Sequence, residues 1–507
     1  MTDTSSYSTK KPHFPPVLWL AIAAVLLLFS NGNWVIPIAA WLSPVFLLRF
    51  VRRQKLLRGI LPALFVLAVT GFFAWHGMVP VPGIGYLIFI MAMSLLMILP
   101  YLMDRAIAHR YTRFSSTLVF PLGWTTMEYV NSLLNPFGTW GAAAYTQFGN
   151  GALVQIVSMT GLWGLTFLIA WFGSVVNWAW EKEFTWSRIR YGAGAYAGIL
   201  ALALLFGGAR LALFPPSANT VRVAAIVQVE KLASLVKSEI VMSPFRGKAV
   251  QKSEIALLRR EFGTLNNDLL RRTDREALAG ARIIFWGEGN ALVMKQDEQR
   301  LIERGRALAR RQGIYLGMAL VVLDFGNKPL YENKVVLIGP GGEIAWDYVK
   351  SRPVPGTGVN NTLRGDGRIK YIDTPYGRLA VAICFDMDFP GLIRQAGMAN
   401  VDLLFAPSAD WPEVAVHHMR MATFRAIENG FSLVRPAYNG ITVAADYQGR
   451  VLAQTDYFAS KDRVMVAQVP MKGVPTVYAR IGDLFAWLCV AGCIILPGWI
   501  VGRRRAE

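Results

Sequence analysis

At 507 residues, with 54% hydrophobic content and a formal charge of +19, the chain is too apolar to be one ordinary soluble enzyme. The excess Lys and Arg lie in short clusters between hydrophobic runs, which argues for a membrane protein and against nucleic acid as a partner. Only Cys384 of the three cysteines lies outside the last hydrophobic run, so it has no disulfide partner in its own stretch of chain.

Seven runs before about Phe214 are long enough, or nearly so, to cross a hydrocarbon core of about 30 Å as helices. They are Val17–Ser30, Trp34–Leu48, Ile60–Trp75, Gly83–Met103, Thr117–Leu134, Met159–Trp180 and Gly192–Phe214, and an eighth covers Leu484–Val501. The second is short and holds Pro37 and Pro44. No cleavable signal peptide is evident, because the first run lacks a small-residue cleavage site and is followed at once by another. Lys10 and Lys11 precede the first run, and Arg49, Arg52, Arg53, Lys55 and Arg58 follow the second. Arg105, Arg110 and Arg113 follow the fourth, Lys182, Arg188 and Arg190 the sixth, and Arg503, Arg504 and Arg505 the eighth. The alternate loops Asn31–Asn33, His76–Pro82 and Asn135–Ser158 carry no Lys or Arg. By the positive-inside rule both termini are expected in the cytoplasm, with the domain from about Pro215 to Arg480 facing outward. The expected division is a membrane domain of seven spanning helices at 1–214, an outward domain at 215–480, and a closing helix with a basic tail at 481–507.

The outward stretch alternates strand and helix patterns. Strands are predicted at Thr220–Val229, Arg282–Trp286, Ile314–Leu323, Lys334–Ile338, Ile344–Val349, Leu379–Cys384, Asp402–Ala406, Leu433–Pro436, Thr442–Asp446 and Arg450–Gln454. Helices are predicted at Glu254–Arg272, Glu298–Gln312 and Glu413–Asn429. This pattern fits a layered α/β domain with catalytic groups at strand ends. Lys231–Lys248, mixed apolar and basic, reads as a segment against the membrane. Arg352–Asp366, rich in Pro, Gly and Asn, reads as a cover over the site or as a plain surface loop.

The chemistry lies in three residues taken in order. Glu288 closes one apolar strand, Lys350 closes another, and Cys384 ends Val381-Ala382-Ile383-Cys384. A free thiol is only a few per cent thiolate at neutral pH, so it needs a base and a cation beside it. Glu288 fits the general base and Lys350 the group that stabilises an oxyanion, which points to acyl transfer through a thioester. Singly, each residue is also what a buried structural cysteine or a solvated strand-end charge looks like. Lys334 is a competing lysine. His417 and His418 invite a metal reading, but adjacent helical side chains diverge and make a poor chelating pair. Cys489 and Cys493 share a helix face without His or carboxylate neighbours, as small hydrophobes do.

Glu288, Lys350 and Cys384 in this order resemble the Glu-Lys-Cys triad of the nitrilase superfamily, which implies an αββα sandwich. Arg425-Ala426-Ile427-Glu428-Asn429-Gly430 is similar to that family's helix motif after the cysteine. With the membrane part added, the chain resembles the apolipoprotein N-acyltransferase family along nearly its whole length. Asn135-Pro136-Phe137-Gly138 through Tyr145-Thr146-Gln147 resembles its outer loop. Gly161-Leu162-Trp163-Gly164 resembles the segment after that loop, and Tyr478-Ala479-Arg480-Ile481-Gly482-Asp483 the return to the membrane. The resemblance implies Glu288, Lys350 and Cys384 as catalytic residues, with Asp386, His418, Glu428 and Asn429 as supporting ones, and no metal or cofactor. It implies a glycerophospholipid as acyl donor and a diacylglyceryl-cysteine at a lipoprotein N terminus as acceptor. It also implies a place in the bacterial cytoplasmic (inner) membrane, among membrane lipids. The chain departs from the family in Trp286-Gly287-Glu288, in Phe385-Asp386, and in Val354-Pro355-Gly356-Thr357-Gly358, where a second acid is missing near Gly358. These departures keep open a membrane-tethered amidase or hydrolase with water as acceptor.

Overall fold

The computed structural model describes residues 15–108, 111–228, 235, 239–244, 248–355 and 361–504. The N-terminal part is helical: Pro16–Leu28, Pro37–Arg53, Leu56–Ala74, Ile84–Met97 continuing into Leu99–Ala108, Val119–Leu134, Leu162–Glu181 and Trp186–Leu213. The second apolar run is therefore a helix despite its prolines: Pro37 occupies its first turn, where a missing N–H costs nothing. Among the described residues, Leu56–Ala74, Ile84–Ile107, Leu162–Glu181 and Trp186–Leu213 are long and apolar enough to cross a membrane, while Pro16–Leu28 and Leu484–Leu496 are shorter apolar helices. Leu61, Phe65, Leu202 and Leu205 stand more than half exposed, the arrangement hydrocarbon tolerates and water does not. Leu162–Glu181 differs, being buried along most of its length with Thr166, Ser174 and Asn177 inside. At one end of the bundle Arg52 binds Asp104 through two contacts of 2.7 Å and Glu181 at 3.0 Å, an ion-paired cluster among these helices.

Two sheets make up the following domain. Their strands are β1 (Thr220–Ile226), β2 (Ile283–Trp286), β3 (Ala291–Met294), β4 (Tyr315–Leu323), β5 (Tyr331–Ile338), β6 (Ile344–Val349), β7 (Tyr371–Thr374) and β8 (Gly377–Val381). They continue with β9 (Leu403–Phe405), β10 (Ser408–Ala409), β11 (Ser432–Arg435), β12 (Ala437–Tyr438), β13 (Ile441–Ala445), β14 (Val451–Asp456) and β15 (Val464–Pro470). One sheet runs β15-β1-β2-β4-β5-β6 with β3 beside β4; the other runs β14-β13-β11-β9-β8-β7, and β10 pairs with β12. The sheets meet face to face. Phe285 of β2 stacks on Phe405 of β9 with ring centroids 4.0 Å apart, inside a core drawn from both sheets. Gly317 on β4 makes room for that ring, because a Cβ there would lie 2.2 Å from it. Helices Lys252–Leu278 and Glu298–Gln312 pack on the first sheet, and Pro390–Met398 and Ala415–Asn429 lie with the second. This is an αββα sandwich beside a helical membrane part, the fold class expected from the sequence.

Several details differ from the expected elements. The strand before the cysteine stops at Val381, and Cys384 opens a 3₁₀ turn, Cys384–Asp388. β3, β7, β15 and the helix Pro390–Met398 were not expected. Much of Lys231–Lys248, and residues 356–360 within the expected cover, lie outside the described residues.

Candidate active site

Glu288 lies two residues past β2 and Lys350 one past β6, so one sheet carries both, on strands separated by β4 and β5. Cys384 enters from the facing sheet with φ +47°, a left-handed backbone rare outside glycine that turns the chain sharply after β8. All three side chains are buried. Lys350 Nζ lies 2.6 Å from Glu288 Oε1, which also accepts from Asn333 Nδ2 at 2.7 Å. Ala409 N–H donates to Glu288 Oε2 at 2.8 Å, while the Cys384 thiol points to the Ala409 carbonyl at 3.7 Å. One residue of β10 thus touches both base and nucleophile. Burial opposes the charge of Lys350, but Glu288 and then Cys384 hold its pKa above the ordinary lysine value. Burial and then Glu288 push the Cys384 thiol well up, against the pull of Lys350. The resting site is a carboxylate–ammonium pair beside a neutral thiol.

The expected supporting residues divide. Asp386 belongs with the site: its carboxylate accepts from Ile383 N at 3.0 Å, Arg352 N at 2.7 Å and Tyr348 Oη at 2.8 Å, fixing the cysteine turn. Burial raises its pKa to about 6, with Lys350 and these donors working the other way. His418 also belongs. Its Nδ1 meets Asp410 Oδ1 at 2.9 Å and its Nε2 lies 3.4 Å from Asp388 Oδ2. Burial lowers its basicity, but Asp388 and then Asp410 outweigh that and bring it to about 9. His417 points elsewhere, with Nε2 2.9 Å from the Trp140 carbonyl. Burial and then His418 lower it to about 3, so the neutral ring donates this bond through Nε2–H. Glu428 and Asn429 are not brought to the triad. Glu428 pairs with Arg425 at 2.7 Å, Asn429 Nδ2 donates to the Arg425 carbonyl, and Arg425 reaches Tyr145 Oη on the loop between Val119–Leu134 and Leu162–Glu181. Lys334 is engaged by Glu298 and Asp347, away from Cys384, so it does not compete with Lys350.

The structure adds residues that sequence reasoning missed. Arg435 Nη2 reaches both Asp410 oxygens at 2.8 Å, and Asn333 and Ala409 hold Glu288. Asp388 accepts from Trp140 Nε1 at 2.7 Å. The one available signal was a run of acids just after the cysteine, Asp386 and Asp388. Cys384, Asp410 and His418 present donor atoms within 4.8 Å of one another, a spacing a metal could use. Asp410 is already shared between His418 and Arg435, so these donors are bound to each other.

Residues 268–478 match the family described as carbon-nitrogen hydrolase, and residues 7–175 match the apolipoprotein N-acyltransferase N-terminal domain. An apolipoprotein N-acyltransferase of Geobacter metallireducens is 28% identical over 98% of this chain and 93% of its own. One from Azotobacter vinelandii is 26% identical over 84% and 81%. Among solved structures, an amidase from Nesterenkonia sp. aligns at 17% identity and a TM-score of 0.40, over 53% of this chain and 96% of that one. The fold and the two family matches define a membrane-bound member of the carbon-nitrogen hydrolase superfamily. Within that class, the chain belongs to the apolipoprotein N-acyltransferase family.

Proposed function

We propose that the chain moves a fatty acyl group from a glycerophospholipid to the amine of a diacylglyceryl-cysteine at a lipoprotein N terminus, through a thioester on Cys384. The observation that carries this reading is the Glu288–Lys350 pair beside a thiol at a sharp turn, in a domain joined to membrane helices. Glu288 takes the thiol proton as sulfur attacks the ester carbonyl, and Lys350 balances the oxyanion. The glycerol oxygen leaves with that proton. The acceptor amine then attacks the thioester, gives its proton to Glu288, and the amide forms as the thiol of Cys384 is restored.

The membrane part has a physical use here. Removing an acyl chain of about fifteen methylenes from lipid costs roughly 12 kcal/mol at about 0.8 kcal/mol each. Joining the site to the helices lets donor and acceptor stay partly embedded. In this reading residues 1–214 supply seven spanning helices, residues 215–480 lie outside the bacterial inner membrane, and 481–507 return to the cytoplasm, a topology that the Lys and Arg clusters support. The test is intact-mass analysis after incubation with phospholipid, beside Cys384→Ala. A lipid-length adduct on the wild type alone, discharged onto a diacylglyceryl peptide amine, is the expected result. Discharge by water alone would replace the transferase with a hydrolase, and no adduct would remove the lipid reading.

A further inference from the structure

We propose that Trp140, on the membrane part's outer loop, is a positioning residue that holds the nucleophile turn through Asp388. The left-handed backbone at Cys384 is costly for a side-chain-bearing residue, so the turn persists only where its surroundings fix it. At its start, Cys384 N–H donates to the Pro407 carbonyl at 2.8 Å. In its middle, the Asp386 carboxylate gathers donors from Ile383, Tyr348 and Arg352. At its end the donors come from a segment nearly 250 residues earlier in the chain. Thr139 Oγ1 and N–H reach the Asp388 carbonyl at 3.0 and 3.3 Å, and Trp140 Nε1 reaches the Asp388 carboxylate at 2.7 Å.

This contact is more than packing. Trp140 puts its single polar side-chain atom on a buried carboxylate, and that same oxygen faces His418 Nε2. The indole ring lies edge-on to His418 at 5.0 Å and to Phe385, the residue after the nucleophile, at 6.2 Å. Losing the indole N–H frees the Asp388 carboxylate to move toward His418, and the turn that presents sulfur moves with it. Trp140 also borders a cavity among the membrane helices with Trp75, Phe89 and Phe137. A residue that merely lined this cavity would affect lipid binding, whereas a positioning residue affects the thiol.

The inference rests on Cys384 being the nucleophile, and its test separates the two claims. The full-length protein in lipid nanodiscs is compared with W140F, T139V, D388N and W140F/D388N. The rate at which iodoacetamide alkylates Cys384 is followed against pH by peptide-resolved mass spectrometry. Turnover of phospholipid gives kcat and KM in parallel. Expected are about tenfold or greater losses in alkylation rate and kcat for W140F, with KM unchanged. T139V shifts both the same way, and W140F/D388N is no worse than the poorer single variant. Unchanged alkylation with a raised KM would overturn the proposal, as would multiplied effects in the double variant. A wild type that alkylates at Cys384 but turns over no phospholipid would remove the lipid reading, and the alkylation comparison would still decide this one.

Discussion

Glu288 and Lys350 meet at 2.6 Å with both side chains buried, and the carboxylate accepts two further hydrogen bonds, from Asn333 and Ala409. The carboxylate proposed to accept the thiol proton is therefore fixed in place by three donors. Removing one partner of such a pair leaves a buried unmatched charge, which costs about 3–5 kcal/mol. Lys350→Met should lower the melting temperature by several degrees and abolish thioester formation. Glu288→Gln keeps the shape, so it should abolish the thioester with a smaller thermal loss. Differential scanning fluorimetry alongside intact-mass analysis checks both.

The adjacent histidines give stability a pH optimum. His418 sits at about 9 in the folded protein, above its unfolded value near 6.5, so its contribution is full below about pH 6.5 and is lost as pH rises through 9. His417 sits at about 3, below the same unfolded value, so its contribution is present above about pH 6.5 and is lost as pH falls toward 3. His418→Gln should flatten the alkaline side of a plot of melting temperature against pH. His417→Gln should flatten the acid side. Identical curves for wild type and both variants would contradict the buried pairings.

Gly138 holds φ +58° against the cysteine turn, and a Cβ there would lie 2.6 Å from the Asp388 carbonyl. Gly138→Ala combines a strained backbone with a clash against main chain, a cost of about 1–3 kcal/mol. The expected outcome is a lower melting temperature together with slower alkylation of Cys384. The same substitution at Gly141, where a Cβ meets nothing within 4 Å, is the matched control.

Phe285→Ala removes one half of the stacked pair joining the two sheets, and a Phe-to-Ala change in a core costs about 3–5 kcal/mol. The variant should melt several degrees lower. Because the pair lies within the sandwich rather than on the reacting atoms, thioester formation well below the transition should survive.

The triad was legible because each member lies just past a short apolar strand, and such ends are easy to see. Helix Glu298–Gln312 and strand Ile344–Val349 fell where their patterns placed them. β3 was missed because four buried apolar residues after a turn show no period, and β7 because its residues are only half-buried or exposed. Asp410 and Arg435 could not be assigned, since a buried acid and a buried guanidinium 25 residues apart carry no sign of each other. Glu428 and Asn429 show the opposite case. Their motif is visible in the sequence, but not that Arg425 links it to Tyr145 of the loop before Leu162–Glu181.

Tyr145, Gln155 and Trp163 reach Arg425, Gln448 and Asp483, each partner hundreds of residues later. Chains are made from the N terminus onward, and domains fold largely as units in that order. The helices and their loops are thus laid down before the sandwich exists, as a seat onto which it docks while still being synthesised. A free-floating sandwich cut from this chain would leave buried Arg425 without Tyr145, and the Gln448 carbonyl without Gln155. The seam between lipid and catalysis is for this chain an assembly instruction, read once, in the direction of translation.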